Sequence, residues 1–345
     1  MNVERAAYNS LYRLSIIWRD LRGLGRGRAL TETMPSDANV EPSNLCNADC
    51  VFCGYQFQER PHREIAIDLA SEIIAAAKRD GVKKIGFTPV VGEPLVHRRL
   101  EELIRIAVAP PQPLNTGLTT NGILLTPTRY KSLVEAGLTS ICISMTYPDE
   151  EEYFRIYRSK GLKNVVANLE SILDIFSDQP CDISLSIRTP RRQWKGHPLF
   201  VRARSVGWHI NNNKFFDDWS GRTTQTMEAE GLWSRPNCPK ILPCTMLYSG
   251  PHFFSDGRAT ACGCRDLDGK SELRLDSKEL LSDMRKVYTT GAVETLRERF
   301  RNSDAPVICK SCRHYNPQFE GESRRNRIQQ AIGDFTALLG FRPAA

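Results

Sequence analysis

Six short apolar segments alternate with helical segments between residues 38 and 216, and this alternation limits the fold more than any other feature of the chain. Strands that alternate with helices are typical of βα units around a parallel sheet. Because no further pair of units follows to close the ring, the sequence predicts an α/β fold with a partial (β/α)6 barrel. The predicted strands are residues 39–43, 83–88, 115–120, 140–145, 182–187 and 208–215.

Capping residues predict where some of the helices begin. Asp68 can cap a helix over residues 69–78, because a carboxylate accepts hydrogen bonds from the first free N–H groups. Thr126, followed by a proline, can cap a helix over residues 128–135 in the same way. The apolar period of residues 165–176 predicts a further amphipathic helix.

The chain divides into four predicted segments. We predict an N-terminal helical extension over residues 1–37, with a helix over residues 6–21, and the barrel over residues 38–216. From residue 217 the alternation stops and cysteines become dense, so residues 217–320 predict a small second unit. Residues 321–345 predict a C-terminal helical tail.

The composition is that of a globular chain with many free thiols. Hydrophobic residues make up 41% of the 345 residues and charged residues 25%, which leaves ample material for a core. We see neither an apolar run of the roughly 20 residues that span a bilayer nor a signal peptide. The 11 cysteines therefore predict a cytoplasmic protein whose thiols bind metal or act in catalysis, since the cytosol keeps thiols reduced.

Three cysteines lie within eight residues directly after the first predicted strand, at Cys46, Cys50 and Cys53. Thiolates hold iron–sulfur clusters, and a four-iron cube takes four ligands. Three cysteines thus leave one iron open to a substrate or cofactor. A zinc knuckle is the weaker interpretation, because structural zinc takes four ligands and the nearest histidine is His62.

The spacing of this cysteine group resembles the signature of the radical S-adenosylmethionine (SAM) enzymes. Their three cysteines are separated by three and then two residues, with an aromatic residue before the last, as Phe52 stands before Cys53 here. The resemblance implies a partial TIM-like barrel, a [4Fe–4S] cluster held by Cys46, Cys50 and Cys53, and SAM bound at the open iron. It also implies a 5′-deoxyadenosyl radical that abstracts hydrogen from the substrate.

The same resemblance extends to residues expected to contact SAM. The Gly-Glu-Pro segment after the second strand matches the family motif that receives the SAM amino group, although Val91 replaces its first glycine. Taken alone, these segments are also common turns. The expected cofactor-binding residues are Phe52, Gly92, Glu93, Pro94, Thr120, Asn121, Ser144 and Arg158.

A second cysteine group lies in the C-terminal unit. Cys244 and Cys262 are separated by twelve residues, Gly257 and four more residues. A Cys-x-x-Cys pair, Cys309 and Cys312, follows Cys262 after 46 intervening residues. A hairpin over residues 248–261 would bring the first two together. This arrangement resembles the twitch domain, a short relative of the SPASM domain, and implies one auxiliary [4Fe–4S] cluster. A zinc ribbon is the alternative.

The remaining cysteines have less certain roles. Cys142 and Cys181 lie in or beside predicted strands, where a buried inert thiol is the usual case. Cys238 and Cys264 each lie near a proposed cluster ligand in the sequence. Either of them could therefore be an alternative ligand or could donate a hydrogen atom from its thiol to the substrate. For Cys238, packing beside the cluster is the simpler interpretation.

The net charge of +7 is concentrated in one segment, because residues 186–222 hold eight basic residues and two acidic ones. Loops after barrel strands form the active-site face, so Arg188 and Arg191 are expected to bind a substrate phosphate or carboxylate. Arg222, at the junction with the second unit, is a further expected substrate contact. Two other roles are open for these basic residues. They could form a solvated helix face, which we prefer for Arg202 and Arg204, or they could dock a ferredoxin or flavodoxin electron donor.

These features predict an oxidoreductase that acts on a small molecule. Cys46 comes too early for a leader-binding domain, which favours a sugar, aminocyclitol or nucleotide-linked sugar over a peptide. The resemblance to twitch-bearing dehydrogenases favours oxidation of a carbinol carbon, with the auxiliary cluster as electron acceptor.

Three alternatives remain open. An epimerase would use Cys264 or Cys238 as hydrogen donor, and a maturase would modify a peptide. A non-catalytic metal-binding protein would use its basic surface on nucleic acid. We expect no nucleic acid partner, because the aromatic residues of that surface are more simply core and cap residues: Trp194, Phe200, Trp208, Phe215 and Phe216.

Overall fold

The structure is a computed structural model that describes residues 34–175, 181–213, 215–240 and 242–318. The predicted helix over residues 6–21 and the predicted tail over residues 321–345 lie outside the described residues. Nearly all of the barrel and C-terminal unit can therefore be compared with the sequence predictions.

The first six strands form a parallel sheet in chain order, which confirms the predicted α/β class. Within the described residues the sheet is open, with β6 at one edge. The strands are β1 Asp37–Val40, β2 Lys84–Phe87, β3 Asn115–Thr120, β4 Ser140–Met145, β5 Asp182–Ile187 and β6 His209–Asn212.

Two of the predicted strands need correction. β1 begins earlier than predicted and ends at Val40. The strand predicted over residues 208–215 is wrong, because β6 ends at Asn212 and a separate strand β7, Phe215–Phe216, pairs with β8, Trp233–Ser234. The Asn212 side chain donates to Thr189 O at 3.0 Å and that of Asn213 to Ser186 Oγ at 2.8 Å. Both amides bind residues in or just after β5 at the point where β6 ends.

Helices cover the outer face of the sheet. The cap at Thr126 is confirmed, since its hydroxyl accepts from Arg129 N at 3.1 Å. The cap at Asp68 is wrong, because the helix already begins at Ile67 and Ala66 is the capping residue. The barrel helices are Ile67–Arg79, Leu100–Val108, Pro127–Glu135, Glu150–Tyr157, Leu162–Ile175 and Pro198–Ser205.

The two faces of the strands differ in chemistry. Aliphatic positions such as Ile85, Ile143 and Leu185 are buried in the core. Alternate positions are mostly small or polar and line a cavity inside the partial barrel. Cys142 lines this cavity and is half-buried, which corrects its expected burial, whereas Cys181 is buried.

The C-terminal unit continues the barrel sheet on the other side of β1. Strand β9, His252–Phe253, runs parallel to β1, and β10, Ala259–Thr260, pairs antiparallel with it. The hairpin predicted over residues 248–261 is confirmed, with its turn at Gly257, where φ is +85°. β11, Arg274–Leu275, completes the nine-stranded sheet.

Short helices complete the C-terminal unit and the loops. The α-helices are Thr224–Ala229, Ser277–Thr289, Ala292–Arg301 and Val307–Lys310. The 3-10 helices are Gly54–Phe57, Pro94–Val96, Trp194–Gly196 and Thr245–Tyr248.

A buried ion pair fastens the two units together. Arg60 donates to both carboxylate oxygens of Glu41, at 2.5 and 2.9 Å, and to Leu267 O at 2.8 Å. Glu41 also accepts from the backbone and the hydroxyl of Ser255 in the hairpin. The end of β1, the segment after the first cysteine group and the hairpin thus share one network.

Candidate active site

The first cysteine group lies on the loop that follows β1. Cys53 N donates to Cys50 O at 3.0 Å, and Cys46 N donates to Tyr55 Oη at 3.2 Å, so local hydrogen bonds shape the loop. Burial raises the pKa of Cys46 to about 12 and that of Cys53 to about 11. Burial, and then the charges of Cys53 and Cys46, hold the pKa of Cys50 well above its usual range.

Three buried thiols of this kind are costly to ionise together unless a cation is present. Metals bind the thiolate form, and a cationic iron centre offsets that cost. The donor set therefore fits a cluster with three cysteine ligands. The fit is one of donor chemistry and not of geometry, because among the described residues no group of three or more His, Cys, Asp or Glu side chains is arranged to hold a metal ion.

Glu93 is fixed at the end of β3 by three hydrogen bonds. Its carboxylate accepts from Leu95 N at 3.0 Å, Thr120 Oγ1 at 2.6 Å and Asn121 N at 2.8 Å. Burial nevertheless raises the pKa of Glu93 to about 7. A buried carboxylate that has no cationic partner among the described residues suits a ligand ammonium group.

Asn121 connects Glu93 to the cysteine loop. Its side-chain nitrogen donates to Asn47 Oδ1 at 2.7 Å and lies 3.9 Å from Cys46 Sγ. In addition, Glu93 N donates to Leu45 O at 2.7 Å. The structure thus brings together the predicted residues Glu93, Thr120 and Asn121 beside the loop, with Gly92 and Pro94 on either side of Glu93.

The other predicted cofactor residues lie around the loop. The Phe52 ring stacks on Phe216 at 4.7 Å and meets Tyr157 edge-on. The Ser144 hydroxyl is 2.7 Å from Tyr157 Oη. Arg158 pairs with Asp49 of the loop at 3.1 Å, so its expected contact with the SAM carboxylate stays a prediction.

The second cysteine group converges on one pocket, although its members come from three places in the chain. Cys244, Cys262, Cys309 and Cys312 line this pocket. Burial raises the pKa of Cys312 to about 12 and that of Cys309 further. This donor set fits a four-thiolate metal centre, for which iron–sulfur and zinc remain alternatives.

The structure separates the two cysteines whose roles were open. Cys264 lines the same pocket, with its sulfur 3.8 Å from Met246 Sδ. Cys238 is buried, lies 3.8 Å from Pro236 O and lines neither this pocket nor the cavity described next. Cys264 is therefore the better placed of the two to meet a substrate.

A cavity, here called the shared cavity, lies between the two cysteine groups. Cys53 and Phe52 of the first loop line it, as do Gly263 and Cys264 beside the second group. Its other lining residues are Val90, Arg188, Asn213, Phe215, Phe216, Asp217, Trp219, Arg235 and His314. A molecule held here would contact the surroundings of both proposed metal centres.

The three predicted substrate arginines differ in their placement. Arg188 lines the shared cavity over the Phe52 and Phe216 rings, and its buried Nε has no hydrogen-bond partner among the described residues. Arg191 pairs with Glu152 at 2.7 Å and with Asp149 at 2.8 Å. Arg222 stacks on Phe57 outside the cavity. Arg188 is thus the best placed to bind a substrate anion.

Several lining residues were not predicted from the sequence. Arg235 and His314 show no motif or spacing that marks them. Trp219, close to Arg222 in the chain, was not predicted either; its Nε1 donates to Phe52 O at 3.1 Å, and a Cβ added to Gly54 would lie 2.9 Å from its ring. Trp194, Phe200 and Trp208 are buried, so they offer no stacking surface for nucleic acid.

Comparison with known proteins identifies the family. The family model described as the radical SAM superfamily matches residues 40–186. A GTP 3′,8-cyclase from Stenotrophomonas maltophilia (strain K279a) is 35% identical over 266 residues, which cover 68% of this chain and 77% of that protein. The chain belongs to the radical SAM superfamily. The family implies SAM and a [4Fe–4S] cluster, in agreement with the first cysteine group.

Other similarities of this radical SAM protein are more limited. A GTP 3′,8-cyclase from Pelotomaculum thermopropionicum (strain DSM 13744 / JCM 10971 / SI) is 37% identical over 138 residues, or 39% of this chain and 42% of that protein. The chain thus spans about two fifths of the length of this relative. The crystal structure of BtrN in complex with AdoMet and 2-DOIA superposes with a TM-score of 0.56 at 15% identity, covering 84% of this chain and 98% of BtrN. This likeness shows the fold.

The described helices were also compared with the length and hydropathy of a membrane span. None of them is both long and apolar enough to cross a bilayer.

Proposed function

We propose that this radical SAM enzyme oxidises a carbinol carbon of an anionic small molecule held in the shared cavity. The observation that carries the proposal is the position of this cavity, which Cys53 lines on one side and Cys264 on the other. A substrate there lies beside the first cluster site, where the radical forms, and beside the second site, which would take an electron.

The second site is proposed to hold one auxiliary [4Fe–4S] cluster. Its four cysteines line a single pocket, and their mutual charges add to the rise that burial causes in the pKa of Cys309. Such thiolates require a metal centre to be stable in the folded chain. Iron is favoured over zinc because a redox centre adjoining the cavity gives the electron of the substrate a destination.

The reaction balances in atoms and electrons. When bound, SAM and the first cluster supply a 5′-deoxyadenosyl radical that takes one hydrogen atom from the carbinol carbon. The hydroxyl would then lose a proton, and a ketone would form once an auxiliary cluster held by Cys244, Cys262, Cys309 and Cys312 took the remaining electron. One electron from a ferredoxin or flavodoxin would be consumed in cleaving SAM to methionine and the radical, and one would be returned through the auxiliary cluster. SAM is thus the oxidant, and no other is required.

Arg188 supports an anionic substrate. Its guanidinium faces the cavity and lies 5.0 Å from the centroid of Phe216. A guanidinium binds phosphate or carboxylate through paired hydrogen bonds. The candidate substrates are a phosphorylated or amino sugar, an aminocyclitol or a nucleotide-linked sugar. GTP joins them because the sequence relatives are GTP 3′,8-cyclases.

The test is anaerobic reconstitution with iron and sulfide, reduction by dithionite, and assay of 5′-deoxyadenosine against a panel of these compounds. We expect an anionic compound to increase 5′-deoxyadenosine formation and to be converted to a ketone two mass units lighter. Arg188→Gln should raise the KM for that compound at least tenfold, since a charged hydrogen bond is worth about 1.5–3 kcal/mol. The control Arg202→Gln alters an exposed arginine and should leave KM unchanged.

Loss of the radical chemistry is checked separately. Cys50→Ala should abolish 5′-deoxyadenosine formation, and wild-type levels from that variant would contradict the proposal. Equal stimulation by neutral and anionic compounds would contradict the role of Arg188.

Epimerisation is the second candidate function, because Cys264 lines the shared cavity. A thiol at this position can return a hydrogen atom to the opposite face of a carbon radical. Cys264→Ser decides between the two reactions. A dehydrogenase should keep forming product, whereas an epimerase should form 5′-deoxyadenosine without product.

A further inference from the structure

A buried ion pair lies between the shared cavity and the second cysteine group. Arg265 Nη1 donates to both carboxylate oxygens of Asp217, at 2.7 and 2.9 Å. The two residues are 5% and 7% exposed, respectively, so water screens their charges little. The pair joins the barrel junction to the C-terminal unit.

The two charges face different spaces. Arg265 lines the pocket of the second cysteine group, whereas Asp217 lines the shared cavity. Arg265 Nη2 also donates to Ser311 Oγ at 3.0 Å, and Ser311 stands between Cys309 and Cys312. The guanidinium is thus fastened directly to the Cys-x-x-Cys loop.

Asp217 is held by two backbone N–H groups, and one of these directly follows Cys312. Its Oδ1 accepts from Arg313 N at 2.7 Å and its Oδ2 from Trp219 N at 3.2 Å. Because Trp219 in turn donates to Phe52 O, the carboxylate belongs to the same network as the first cysteine loop. The positive member therefore lies on the side of the second group and the negative member on the side of the cavity.

We propose that the Arg265–Asp217 pair sets the reduction potential of the auxiliary cluster, with Arg265 raising it and Asp217 lowering it. The proposal rests on the auxiliary cluster of the proposed function. Reduction adds negative charge to a cluster, and local charge and hydrogen bonds tune the potential at which this occurs. A buried cation stabilises the reduced form and a buried anion destabilises it. Arg265 is then a positioning residue for electron transfer rather than a catalytic one.

The experiment isolates the second site in the full-length chain. Cys46, Cys50 and Cys53 are all replaced by Ala, so that the reconstituted protein holds iron only at the second group. Iron and sulfide are measured first, followed by a potentiometric titration monitored by electron paramagnetic resonance. About four irons per chain are expected for one cluster. A chain without iron would refute the auxiliary cluster itself, and with it this proposal.

The variants are made in that background and should shift the potential in opposite directions. Arg265→Gln should shift it to more negative values and Asp217→Asn to more positive values. The potential of the double variant should lie between those of the two single variants, because both the positive and the negative charge are then removed. The control Arg299→Gln, which removes an arginine paired with Glu272 and Asp304, should leave the potential unchanged.

Conservative replacement keeps the test decisive if Arg265→Gln loses its iron. Arg265→Lys retains the charge and should keep a potential close to that of the background, while Asp217→Asn still shifts it upward. If the iron content is intact, the proposal is overturned when neither single variant shifts the reduction potential, or when both shift it in the same direction. If the pair were purely structural, the variants would change the iron content without shifting the reduction potential in opposite directions.

Discussion

Gly92 offers a direct test of how the chain forms the proposed SAM site. It adopts φ of +138°, a region that glycine occupies easily and other residues rarely. A Cβ at this position would lie 2.4 Å from Ser43 O and 2.9 Å from Asn44 Cα. The close approach is between two backbone segments, the one before the cysteine loop and the one that carries Glu93, so neither can move aside cheaply.

The expected cost of Gly92→Ala has two parts. Forcing a non-glycine residue into this backbone region costs about 1–3 kcal/mol, and overpacking against fixed atoms costs about 1–3 kcal/mol more. We therefore expect the free energy of unfolding to fall by about 2–6 kcal/mol. A loss of this size is a large fraction of the stability of an ordinary domain.

Two other glycines separate these contributions. Gly207 has φ of +89° but nothing within 4 Å of its Cβ position, so Gly207→Ala measures backbone strain alone. Gly196 has open space and no positive φ, and Gly196→Ala should change stability by less than about 0.5 kcal/mol.

The assay is urea denaturation of the three variants and the unaltered chain, under anaerobic conditions and without added iron. The order of loss should be Gly92→Ala, then Gly207→Ala, then Gly196→Ala. If Gly92→Ala costs no more than Gly207→Ala, the close approach to Ser43 does not exist in solution and the reasoning is refuted.

Two further predictions concern buried charges. Burial raises the pKa of Glu93 from 4.5 to about 7, so the contribution of this carboxyl group to stability is full below pH 4.5 and is lost as the pH rises through 7. Between pH 4.5 and 7 the free energy of unfolding should therefore fall by about 3 kcal/mol. Urea denaturation of Glu93→Gln should show a flatter dependence of this free energy on pH. Arg60→Gln should cost about 3–5 kcal/mol, because it leaves Glu41 buried without its cation. The double variant Arg60→Met, Glu41→Leu should lose less in the same denaturation assay, and an equal or greater loss would contradict this explanation.

The sequence predicted those parts of the fold that depend on neighbouring residues. The strands over residues 115–120, 140–145 and 182–187 were predicted at their observed bounds, since β-branched residues and the alternation of apolar with small polar residues are local signals. The end of β6 was missed because its surroundings are tertiary: the amides of Asn212 and Asn213 bind Thr189, just after β5, and Ser186, within β5. The pairing of β9 with β1 joins residues more than 200 positions apart, and no local pattern specifies it.

The same distinction holds for the site. Cys46, Cys50, Cys53 and Glu93 lie in short motifs and could be found from spacing. The pocket lining by Arg235 and His314 results from how the C-terminal unit folds back on the barrel, and a single sequence carries no signal for it. Three arginines looked equivalent as substrate ligands until their partners were known; the carboxylates around Arg191 are brought there by tertiary packing.

Iron content tests the central claim, that the chain holds two cluster sites, most directly. The anaerobically reconstituted chain should bind about eight irons, and Cys50→Ala and Cys309→Ala should each lower the value toward about four. About four irons in the unaltered chain, with no decrease in Cys309→Ala, would contradict the account.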